Sequence, residues 1–146
     1  MNKSEVAAKN FREGYNCAQS VLLAFTQEIG LTRTEVLKLA SSFGGGMGRL
    51  REVCGAVSAI FMVAGFLKGY TTPNNDEIKA EHYALIQKLA KTFETKYGTI
   101  ICRELLGLNE ASHSPIPSKR TPEYYQNRPC ENFIKFATEI AESELL

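Results

Sequence analysis

The 146-residue chain contains a single aspartate, Asp76, and two histidines, His82 and His113. From that stock no Ser-His-Asp arrangement stands out, which disfavours hydrolytic chemistry. Four cysteines are present, yet there is no Cys-x-x-Cys pair and no Cys-x-x-Cys-His haem-attachment pattern, so the standard spaced motifs are missing. An excess of one charge is missing too. Seventeen basic and sixteen acidic residues give a net charge of +1 and are interleaved along the chain, leaving no electrostatic footprint for nucleic acid or an anionic membrane. The most apolar stretch, 53–67, contains Cys, Gly and Ser and stops at Lys68, short of the roughly 18 uncharged residues of a membrane span. It reads as a buried core helix. The N-terminus lacks the basic start and apolar run of a secretory signal, so a cytoplasmic location is expected.

What is present describes an ordinary globular chain. Apolar residues at 44% and charged residues at 23% fit a chain that folds, and the length fits one domain over 1–146. Apolar positions recur at helical spacing, and no segment alternates as a half-buried strand does. The expected fold is therefore all-α, a bundle of about five to seven helices with a Gly-rich loop and a Pro-rich loop. The first helix should run from about Ser4 to near Gly14. Asn16 caps a second that Gly30 ends, and Thr32 with Glu35 forms the capping box of a third. The run Gly44-Gly45-Gly46-Met47-Gly48 is a loop leading into a long helix from about Arg49 to Leu67. Ile78, His82, Leu85, Ile86, Leu89, Phe93 and Tyr97 mark the next helix, closed by Gly98. Thr99 opens a short helix with Cys102, the proline-bearing stretch 109–129 reads as an irregular loop, and a last helix runs from 129 or 130 to about Ser143.

On this map Cys17, Cys54, Cys102 and Cys130 each lie near the start of a helix. Free N–H groups and the positive end of the helix dipole favour thiolate there, the form that attacks disulfides and binds soft metals. Against this, free cysteine packs as a small hydrophobe, and Cys17 and Cys130 fall on apolar faces. The glycine loop also has two readings. Gly45, Gly46 and Gly48 with Arg49 can cradle an anion, with Arg51 adding charge, or the loop is a close-packed turn that positions Cys54. It matches neither a P-loop nor a dinucleotide fingerprint. His82, on an apolar face, and His113, in the long loop, read as ordinary residues, and Tyr124-Tyr125 near Arg128 as packing.

The combination Gly14-Tyr15-Asn16-Cys17-Ala18-Gln19-Ser20-Val21, the loop from Gly44 to Gly48, Glu52-Val53-Cys54-Gly55-Ala56-Val57, and the single Cys102 and Cys130 resembles the family of redox-active proteins named for its C_GCAxxG_C_C pattern. The resemblance spans almost the whole chain. It implies that the four cysteines act together. A similar module in split-Soret cytochromes c accompanies a non-haem iron–sulfur centre, which makes a cluster one candidate cofactor; haem does not carry over. One departure is Ala59, where the family pattern has glycine.

Three functions compete at this point. In the first, the chain is an oxidoreductase or electron-transfer protein: Cys54 and Cys17 act as catalytic thiols in dithiol–disulfide exchange, or all four cysteines ligate an iron–sulfur cluster. Cys54 is the expected centre, exposed after the glycine loop and flanked by Arg49 and Arg51. In the second, the same four cysteines hold structural zinc without turnover. The third leaves the cysteines inert and gives the loop a small anion. The expected partner is a redox protein, with no nucleic acid and no membrane insertion, and an exposed apolar helix face can make a homodimer.

Overall fold

Asn2, Asn16 and Thr32 each accept a hydrogen bond from the backbone N–H three residues on. Glu5, Gln19 and Glu35 bond back to the cap, so three complete capping boxes start the first long segments. In the computed structural model, which describes residues 1–108 and 114–146, these open α1 (Lys3–Arg12), α2 (Cys17–Leu23) and α4 (Arg33–Ala40). A short α3 (Thr26–Ile29) lies between them. The remaining helices are α5 (Gly55–Lys68), α6 (Asp76–Tyr97), α7 (Cys102–Leu105), α8 (Pro122–Asn127) and α9 (Cys130–Leu145). The fold is all-α. Among the described residues the only β pairing is one antiparallel bridge, Val53 to Ile101.

Among the described residues nine helices stand where about five to seven were expected, and the additions are short. The segment capped by Asn16 breaks at Ala24 and Phe25 before Gly30 closes it in a left-handed conformation. The proline-bearing stretch contains α8, with Pro122 at its first position and Thr121 accepting from the Tyr124 N–H. Thr99 is not the cap of α7. Ile101 holds that place, and the Thr99 hydroxyl accepts from the Ile101 N–H and donates to Glu104.

The core lies between α1, α2, α5 and α9. Val21, Leu22, Phe25, Val57, Ile60, Val63 and Ile134 are fully buried in it. Helix α5 enters this core with most of its first ten residues buried, which is why the most apolar stretch of the chain is there. By contrast α6 contributes only Leu89 and Phe93 as buried residues, and Ile78 and Tyr83 are exposed.

The largest difference from expectation lies between α4 and α5. After a 3₁₀ turn at Ser41–Phe43, Gly45, Gly46, Met47, Gly48 and Arg49 have φ of 66°, 71°, 69°, 59° and 64°. This is a turn of left-handed helix, closed by the Gly48 N–H on the Gly44 carbonyl. For L-residues the left-handed region costs roughly 1–2 kcal/mol each, so a run dominated by glycine suits it. Arg51 follows at φ 61°. The helix expected from Arg49 therefore begins only at Gly55, because the chain must first leave the left-handed turn and run extended through Val53. That short extended run pairs with the residues before α7: Cys54 N–H donates to Ile100 O at 2.8 Å and Cys102 N–H to Glu52 O at 2.6 Å.

Candidate cysteine site

The paired segments 51–54 and 100–103 end in two helix starts, and each start carries a cysteine. Cys54 is the N-cap of α5 and Cys102 the first residue of α7. Cys17 opens α2 behind the Asn16 cap, and Cys130 opens α9 behind Pro129. All four helix starts point at one cavity of about 70 Å³, bordered by the four cysteines with Phe11, Leu105, Leu106, Tyr124 and Phe133. Arg51, Arg120 and Arg128 complete its wall. The four thiols are free of disulfide bonds; Cys54 and Cys102 are buried, and Cys17 and Cys130 are half-buried.

Two close approaches hold this geometry. At Gly55 a Cβ would collide with Cys17 Sγ and stand 2.7 Å from the Phe43 carbonyl oxygen, so only glycine lets α5 start against α2. At Gly46 a Cβ would lie 2.6 Å from Cys102 Cβ and 2.8 Å from the Glu52 nitrogen, which explains why the left-handed turn passes under α7 with no side chain. Both glycines belong to the segments flanking Cys54. Ala59, in contrast, is fully buried in the interior of right-handed α5, where a methyl group is accommodated and no left-handed residue is needed.

Cys17 is the electrostatic hub. The backbone amides of Gly45, Ala18 and Gly55 beside its sulfur favour thiolate, and charge on Cys17 and on the thiols of Cys54, Cys102 and Cys130 is mutually opposed. Cys54 has the amides of Ala56 and Val57 at its helix start. Arg51 Nη1 donates to Cys102 Sγ at 3.6 Å. The amides favour thiolate, the neighbouring thiols oppose it, and desolvation outweighs the amides at Cys17 and Cys54. Burial pushes the Cys17 thiol up, Cys54 well above its ordinary value, and Cys130 from near 9 to about 12. Two expectations are thereby corrected. Cys54 is buried, not exposed, and the arginine beside a thiol is Arg51 at Cys102. The helix-start argument names the right positions but the wrong winner, because the helix ends supply only fractions of a charge while burial strips hydration from a thiolate.

A single tetrahedral ion needs its ligands within about 2.3 Å of a common point. Among the described residues no group of three or more His, Cys, Asp or Glu is so disposed. A cluster makes a different demand, with thiols arranged around an inorganic core. The site offers four thiols bordering one cavity, with a guanidinium beside Cys102. His82 lies on α6 against Tyr70, away from the cysteines, and its Nδ1 is buried without a partner. His113 lies outside the described residues. Of the glycines and Arg49 named as a candidate anion cradle, Gly45, Gly48 and Arg49 border a second cleft, Gly45 borders the thiol cavity as well, and Gly46 borders neither. Sequence reasoning did not single out Arg120, which packs 4.4 Å over the Phe11 ring and donates to the carbonyls of Phe11 and Tyr15. No local motif marks it, since the carbonyls it binds lie more than a hundred residues away.

The family model described as "Putative redox-active protein (C_GCAxxG_C_C)" matches residues 15–144. No curated protein and no solved structure matches the chain. The chain belongs to the C_GCAxxG_C_C redox-active family.

Proposed function

We propose that this member of the C_GCAxxG_C_C family is an electron-transfer protein whose Cys17, Cys54, Cys102 and Cys130 together hold one iron–sulfur cluster. The observation that carries the reading is the meeting of four helix-start thiols on one cavity. Such a cluster supplies one-electron chemistry when bound. The chain's own residues do the rest. The amides of Gly45, Ala18 and Gly55 beside the Cys17 sulfur stabilise added negative charge at the site. Arg51 offsets charge at Cys102, and Phe11, Leu105 and Phe133 keep bulk water from the sulfurs.

Dithiol–disulfide exchange is the weaker reading because it requires an accessible thiolate. Cys54 and Cys102 are buried, out of reach of a partner's disulfide. Single Cys→Ser variants of the protein purified without oxygen separate the two. The cluster reading predicts that each of the four substitutions lowers or abolishes a reversible, dithionite-bleachable visible absorption. Loss of redox behaviour in only two of the four variants, with no chromophore in the parent, would support disulfide exchange and defeat the proposal.

A further inference from the structure

A second cleft, of about 370 Å³, adjoins the thiol cavity and is bordered by Arg49, Arg51, Arg120 and Arg128, of which all but Arg49 also border the thiol cavity. No carboxylate lines it, and none of the four arginines forms an ion pair among the described residues. Arg51 is only 5% exposed, and its buried Nε has no hydrogen-bond partner. A buried guanidinium without a carboxylate is costly unless another anion completes it. The backbone is strained to put these groups there: Arg49 and Arg51 have φ of 64° and 61°, and the Arg49 stem folds back over Gly45. Arg49 borders the outer cleft but not the thiol cavity, so its charge exceeds what the sulfurs call for.

We propose that this cleft binds a small molecule bearing a multiply charged oxyanion group, phosphate or polycarboxylate. Planar guanidinium forks match both groups through paired N–H donors. The volume is that of a small-ligand pocket. The inference goes beyond the cysteine chemistry and does not depend on it, since binding is read without any redox change.

Calorimetric titration of the full chain with inorganic pyrophosphate, and separately with citrate, at fixed ionic strength in chloride, tests it. At least one anion should bind saturably at one per chain, and its identity assigns the phosphate or the polycarboxylate class. The half-buried pair Arg49→Gln with Arg128→Gln should weaken binding tenfold or more with the fold retained by circular dichroism. An equal loss of charge at Lys79→Gln with Lys91→Gln, on α6, should leave binding unchanged. Absence of saturable binding by either anion, full binding in the arginine variant, or equal weakening in the lysine control would overturn the proposal.

Discussion

Cys17 is coupled electrostatically to more of the site than any other residue, to the amides of Gly45, Ala18 and Gly55 and to the other three thiols. Gly55 makes room for it. Gly55→Ala should destabilise the protein by about 1–3 kcal/mol through overpacking, read as a lower denaturation midpoint with an unchanged m-value; an unaffected midpoint would show that α5 shifts freely. Titration of the thiols gives a second test at this scale, on metal-free protein. Cys130, raised from near 9 to about 12, has on the order of a thousandfold less thiolate near neutral pH than an ordinary cysteine. Alkylation of native Cys130 at pH 7.5, mapped by mass spectrometry, should therefore be at least a hundredfold slower than in denatured protein; comparable rates would contradict the burial described here. The linked effect on folding has a definite sign. Above pH 9 the unfolded chain loses thiol protons that the folded chain keeps, so stability falls as pH rises from about 9 towards 12 and is fully present below 9. Denaturant midpoints across pH 7 to 11 should decline only in the upper half of that range.

Among the elements, the left-handed turn at 45–49 sets the site and was only half legible. A glycine run announces positive φ, but nothing local says that Met47, Arg49 and Arg51 join it, since non-glycine residues reach that region only when surrounding contacts hold them there. Met47→Gly should relieve roughly 1–2 kcal/mol of left-handed strain against about 0.5–1 kcal/mol of added unfolded-state entropy, a net stabilisation of about 0.5–1 kcal/mol in chemical denaturation. Gly46→Ala should do the opposite, by more than about 2 kcal/mol, because its Cβ would meet the Glu52 and Arg51 backbone as well as Cys102. If both substitutions had the same sign, the turn would not be the strained element described here. Helix starts were far more legible. Asn16 with Gln19 and Thr32 with Glu35 are local signals whose bonds depend on residues three apart, and both form complete capping boxes. The break of the second segment at Ala24 and Phe25, where Phe25 is fully buried, has no such signal.

Over the whole molecule, helical periodicity gives the all-α class, and the four helix-start cysteines are visible in the sequence. Their meeting is not, because it depends on the pairing of 51–54 with 100–103 and on α1, α2 and α9 closing around α5. The same limit applies to charge. A net charge of +1 and interleaved signs along the chain give no hint that Arg49, Arg51, Arg120 and Arg128 share one cleft without a carboxylate. Proximity in the fold, which charge pattern along a sequence does not encode, turns scattered arginines into a local field.

The most direct test of the account is iron and acid-labile sulfide analysis, with visible absorption, on the full chain purified without oxygen beside its Cys17→Ser variant. The account predicts iron and sulfide in matching amounts with a charge-transfer band in the parent, both lost in a variant that keeps its helical circular dichroism. A colourless, iron-free parent whose thiol count falls by two on mild oxidation would contradict it.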